Sequence, residues 1–213
     1  ETLPESALPA ARAAVALTEI AADRPETRAR GFDRLRALAG EGETGAEALL
    51  ALRLLAEARA RDARGDAPGA DAALMEGALR LLAASSAGFA VPLDDAALGR
   101  IAARVSRALG MELAPLTGDH ARLLGQSDGV LVRAARAEAG LADGDVLISV
   151  GGDPVRSPAS ARFALFRAVL AARLGGGAIA LTARPLSGAP AERRRLDLPD
   201  HLAGVAVPTA LRR

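Results

Sequence analysis

Residues 129–155, GVLVRAARAEAGLADGDVLISVGGDPV, decide how the chain is read. Val130-Leu131-Val132 is a short strand-like run. A loop and an Ala139-Gly140-Leu141 turn follow, and Gly144-Asp145 leads into a second strand-like run, Val146-Leu147-Ile148 with Val150. The stretch closes on Gly151-Gly152-Asp153-Pro154, a hairpin signal, ahead of Val155. The succession leaves little slack between strands.

Upstream, from residue 9 to about 110, the period is that of helices. Apolar residues recur at three and four spacing: Val15, Leu17 and Ile20, then Phe32, Leu35 and Leu38, then Leu49, Leu50, Leu52, Leu54 and Leu55. Arg24-Pro25, Gly40-Glu41-Gly42 and the Gly/Pro turn at 65–69 separate these runs, and Thr44-x-x-Glu47 reads as a capping box. Four helices are expected before Ser85. Those at 49–61 and 70–84 form a helical hairpin of the kind used in tetratricopeptide arrays, but no second unit repeats and the aromatic landmarks are missing, so a plain bundle is preferred. An extended piece, Gly88-Phe89-Ala90-Val91-Pro92, then leads to Asp94 or Asp95 as N-cap of a helix with Leu98, Ile101 and Val105.

Downstream, Pro158 opens a long helix containing Phe163, Leu165, Phe166 and Val169, and Gly175-Gly176-Gly177 stops it. Two closing strands, 178–183 and 194–198, flank the turn at 185–190. The expected fold class is α+β: an all-α domain at 1–87, a connecting segment and helix at 88–108, a strand-rich domain with two helices at 109–198, and a tail at 199–213.

Half of the 213 residues are apolar, enough for a sizeable core, but aromatics are only 2% (four Phe, no Trp or Tyr). Ala, Leu and Val must therefore build that core, which favours closely packed helices. All 27 cations are Arg, and neither Lys nor Asn occurs, a pattern of high-GC codon usage rather than of ligand selection. Against 26 acidic residues the net charge is +1, so the pI of about 9.1 does not point to nucleic acid. Zero Cys excludes disulfides and Cys-based metal sites. No apolar run reaches the ~18 residues of a membrane span, and the chain begins at Glu1, consistent with a signal or anchor removed upstream.

Taken together, residues 109–198 resemble a bacterial PDZ domain of the HtrA/Deg serine protease type. The landmarks are Leu109-Gly110-Met111 as loop and first strand, a short helix at 116–124, Asp128-Gly129-Val130-Leu131-Val132 as a strand, Ala139-Gly140-Leu141 before Gly144-Asp145-Val146-Leu147, then Gly152-x-Pro154-Val155 and the long helix. The piece at 88–92 with its following helix is similar to the junction between an HtrA-type protease domain and its PDZ domain. Alanine-rich helices stand where the protease barrel and its Gly-x-Ser-Gly-Gly loop should precede it.

Tests for chemistry point the same way. The only histidines, His120 and His201, suit surface or capping roles rather than a catalytic base. Ser85-Ser86 lacks the glycines of a nucleophile elbow. Asp143-Gly144-Asp145 lacks the further oxygen ligands of a calcium loop and reads as a turn. The Gly175 triplet lacks the Lys-Ser/Thr of a phosphate loop. Arg193-Arg194-Arg195, in a strand, splits its charges between two faces. No catalytic residue, metal or cofactor is expected, and the chain reads as a non-enzyme.

The resemblance implies a partly open barrel or sandwich that binds a peptide by adding it as a strand to a sheet edge, with the terminal carboxylate held by loop N–H groups. Mapped onto this sequence, the loop and edge strand are Leu109, Gly110, Met111, Glu112 and Leu113. The opposite wall is the helix after Pro158, through Ala161, Leu165 and Val169 or through the neighbouring Phe163 and Phe166. Leu109, Met111 and Leu165 suit an apolar terminal-residue pocket. The expected partner is a protein or peptide C-terminus with an apolar last residue, not nucleic acid, and the role that of an adaptor or scaffold. A regulatory or degenerate HtrA relative that assembles with an active protease is the alternative, and an active serine hydrolase a distant third. By resemblance the compartment is the periplasm or cell envelope, with the cytoplasm left open.

Overall fold

An alanine-rich helix is thin, so its neighbours come close wherever a glycine falls between them. The computed structural model describes residues 8–88, 95–125, 127–135, 140–175 and 177–211, and the chain divides into two units, 1–92 with 205–213 and 93–204. The first unit contains α1 (Leu8–Ile20), α2 (Pro25–Gly40), α3 (Thr44–Ala63) and α4 (Ala67–Ser86). Pro25 occupies the first turn of α2, where its missing N–H costs nothing, and Asp66 caps α4 by accepting the Gly69 N–H at 3.0 Å. Ser85 and Ser86 are the last residues of α4.

Ala16, Ile20, Phe32, Leu35, Leu38, Ala39, Ala46, Leu50 and Leu54 form one apolar cluster across α1, α2 and α3. Gly31 makes the α1–α2 contact possible. A Cβ there would lie 2.6 Å from the Ala16 carbonyl oxygen and 2.7 Å from the Ile20 nitrogen, both backbone. α3 and α4 pack against each other as a helical hairpin.

The capping box expected at Thr44-x-x-Glu47 does not form, because α3 starts one residue early, with Glu43 at the N-cap position, and the Glu47 carboxylate is engaged elsewhere. Glu47 Oε2 accepts from Arg80 Nη1 at 2.9 Å, and Arg80 Nε donates to Glu76 Oε1 at 3.3 Å. Arg36 donates through Nε and Nη2 to the two Glu76 oxygens, each at 2.9 Å, with its guanidinium 5.9 Å from the Phe32 ring centroid. Glu47, Glu76 and Arg80 are all buried. Burial pushes the Glu76 carboxyl up, yet the hydrogen bonds and charges of Arg36 and Arg80 outweigh it and hold the group below the ordinary glutamate range.

The second unit contains α5 (Asp95–Ala108), β1 (Met111–Pro115), α6 (Gly118–Leu124), β2 (Val130–Ala135), β3 (Val146–Val150), β4 (Asp153–Pro154), α7 (Pro158–Gly175), β5 (Ile179–Arg184), β6 (Glu192–Leu196) and α8 (Asp200–Ala203). The strands form one antiparallel sheet in the order β1-β2-β3-β5-β6, with β4 paired to β3. The fold is α+β, and the sheet stays open rather than closing into a barrel. Gly151 (φ 62°) and Gly152 (φ 92°) make the β3–β4 hairpin, pairing Ser149 with Pro154 and Val150 with Asp153.

Several boundaries differ from the sequence reading. The last strand is Glu192–Leu196 rather than 194–198, since pairing with Ile179–Arg184 starts immediately after the turn. The helix placed in a connecting segment, α5, belongs to the second unit, where it packs on α7 and β1. Residues 89–94, which carry the expected extended piece and Asp94, lie outside the described residues, as do Ala139 and Gly176. The expected tail buries Leu202 and Val205 and is structured, with α8 in the second unit and the segment from Val205, including a 3-10 turn at Thr209–Leu211, grouped with the helical unit. Among the described residues no helix is long and apolar enough to cross a membrane.

Gly31→Ala should lower unfolding stability by about 1–3 kcal/mol, measured by urea denaturation, because backbone cannot move away from the new methyl as a side chain would. The lowered Glu76 carboxyl gives a second expectation. A carboxyl whose folded value lies below its unfolded one contributes stability at neutral pH that disappears as pH falls through the folded value. Wild type should therefore lose stability more steeply than Glu76→Gln as pH drops below the unfolded glutamate value of about 4.3, followed by urea unfolding across pH.

Candidate functional site

β1 is the terminal strand of the sheet: its one strand partner among the described residues is β2, through Met111↔Ala135, Glu112↔Ala134, Leu113↔Val132, Ala114↔Leu131 and Pro115↔Val130, with a bulge between Glu112 and Leu113. Such a strand leaves every second backbone N–H and C=O pointing away from the sheet. Along β1 the side chains alternate, with Met111 and Leu113 buried and Glu112 exposed. Ala114 on the other face packs with Leu116 against a small cluster of Leu124, Leu131 and Val146.

α7 packs against β1 and presents Ala161, Leu165 and Val169 as one fully buried stripe at i, i+4 and i+8. Phe163 is exposed and Phe166 half-buried, so neither belongs to that stripe. α5 packs on both of these walls and buries its own stripe of Ile101, Ala102, Val105 and Ala108. Leu109, Met111, Leu113, Ala161, Leu165 and Val169 are all between 0 and 7% exposed. The residues that the resemblance assigns to an apolar lining are thus all buried.

The loop before β1 is the end of α5. The Leu109 N–H donates to the Val105 carbonyl at 3.0 Å and the Gly110 N–H to the Arg107 carbonyl at 2.8 Å. Gly110 adopts φ 75°, the left-handed conformation that terminates a helix and that other residues reach only with strain. Gly110, expected to let a ligand backbone approach, here stops α5. Two side chains that the sequence reading did not single out bond β1 itself. Ser106 Oγ, buried, donates to the Met111 carbonyl at 2.9 Å, and Arg162 Nη2 donates to the Leu113 carbonyl at 3.4 Å. Ser106 was visible as the one polar residue on the stripe Ala102, Val105, Ser106, Leu109. Nothing local marked Arg162.

The other residues weighed for chemistry take structural places. Asp145, buried, accepts the Ala142 N–H at 2.9 Å and pairs with Arg194 Nη1 at 2.9 Å, while that same nitrogen also bonds the Gly140 carbonyl. Arg194 thereby fastens β6 to the 140–145 loop, and Arg193 and Arg195 are exposed. Asp143 is exposed at the turn. His120 Nδ1 lies 2.6 Å from Thr117 Oγ1, the N-cap of α6, and His201 sits in α8. Among the described residues no group of three or more His, Asp or Glu side chains is placed to hold a metal ion.

No family model matches this chain, and neither a curated protein nor a solved structure is significantly similar to it.

Asp145→Ala removes the partner of both Arg194 and the Ala142 amide. It should cost about 2 kcal/mol in urea unfolding and speed hydrogen exchange of the 140–145 amides, while exchange in the helical unit stays unchanged.

Proposed function

We propose that the second unit is a peptide-binding module of the PDZ kind and that the chain acts as a noncatalytic adaptor. What carries the reading is the placement of β1: an edge strand with apolar side chains at Met111 and Leu113, entered through the Leu109-Gly110 turn and walled by the buried stripe of α7. An extended peptide adds to such an edge through its backbone, which is indifferent to sequence, and alternate side chains reach the apolar wall, which is not. Arg162 of α7 donates to the Leu113 carbonyl of that strand and so places a cation beside it.

The natural ligand on this reading is the free C-terminus of a protein ending in an apolar residue. The test is titration of the full chain with fluorescently labelled peptides of that type, beside the same peptides amidated at the C-terminus, followed by anisotropy. Saturable binding that is weakened by amidation is the expected result. Equal, nonsaturating signals for both sets sink the proposal.

A further inference from the structure

We infer that the last turn of α5 is an intramolecular stand-in for the peptide, so that the groove opens only when this turn lets go. The inference rests on the reading of the β1–α7 groove as a peptide site, and it names how that site is regulated.

A C-terminal peptide asks three kinds of group from such a groove: edge-strand carbonyls for its N–H groups, loop N–H groups for its carboxylate, and an apolar lining for its side chains. Each is already spent within the chain, and the backbone groups are spent on consecutive residues. Val105 takes the Leu109 N–H, Ser106 gives its hydroxyl proton to the Met111 carbonyl, and Arg107 takes the Gly110 N–H. α5 also packs on both α7 and β1 and buries its own apolar residues Ile101, Ala102, Val105 and Ala108, while the lining residues are themselves buried. Peptide and helical turn are therefore mutually exclusive, and unwinding a single turn frees the carbonyl and both N–H groups together.

α5 is also constructed weakly enough to be displaced. It has only 14 residues, a length that is marginal in isolation, and its first residues, Asp95 and Ala96, are exposed. Gly99 lies in its middle, and a Cβ built there meets nothing within 4 Å, so no packing demand explains a residue that costs a helix about 1 kcal/mol relative to Ala. Elements that open for function are drawn from this low-stability end. Because apparent affinity scales with the open fraction, changing the strength of α5 changes affinity without touching the groove.

Two substitutions in the full chain push in opposite directions. Ser106→Ala removes the hydroxyl from the Met111 carbonyl and should tighten binding of a labelled peptide with a free apolar C-terminus about fivefold. Gly99→Ala strengthens the helix and should weaken it about fivefold. Without peptide, amide hydrogen exchange over 95–110 should be faster in Ser106→Ala and slower in Gly99→Ala, and adding peptide to the wild type should speed exchange in α5. Equal affinities in all three proteins, with α5 exchange unmoved by peptide, overturn the latch and leave the peptide site standing. No saturable binding in any of them, the loosened Ser106→Ala included, overturns both.

Discussion

An edge strand carries a row of backbone donors and acceptors with no neighbouring strand to take them, and the second unit is arranged around satisfying that row at β1. The solution is local. α5 ends only two residues before β1 begins, so the chain folds back and offers the strand a serine hydroxyl from the preceding helix and an arginine from α7. The same fold-back lays α5 against α7, whose apolar stripe is fully buried. At the opposite end of the sheet the device is different: β6 keeps Glu192, Arg193 and Arg195 exposed, charges that discourage pairing with another chain. One edge is guarded by charge, the other by a removable helix.

The helical unit meets a different constraint. With so few aromatic side chains, its helices pack through Leu and Ala repeated along each one, and such interchangeable apolar contacts alone specify register loosely. The linked Arg36, Glu76, Arg80 and Glu47 side chains span α2, α4 and α3, and the Arg36–Glu76 and Arg80–Glu47 hydrogen bonds each fix one helix against another. Buried ion pairs contribute little net stability against an apolar replacement, so their consequence here is geometric: the position of α4 must satisfy Glu76 and Arg80 together.

Much of this was legible in the residues themselves. The four N-terminal helices, the β2–β3–β4 succession, the Gly151-Gly152 hairpin and the helix opened by Pro158 are written in period and in turn chemistry, both of which act within a few residues. The stripe of Ala161, Leu165 and Val169 was readable as one side of a helix, although its choice over Phe163 and Phe166 needed the packed structure. Ionic partners were not legible. Glu47 looked like a capping residue because the capping pattern is local, whereas Arg80 reaches it across 33 positions of chain.

The sequence by itself determined most of the helices and strands, although not α8, since hydrophobic period and backbone sterics are properties of neighbouring residues. Only the tertiary structure decided what Leu109-Gly110-Met111 does. The same three residues suit a loop that holds a carboxylate and a turn that ends a helix. Which groups remain free depends on whether α5 lies against the β1–α7 wall, and that is settled by contacts between elements distant in the chain.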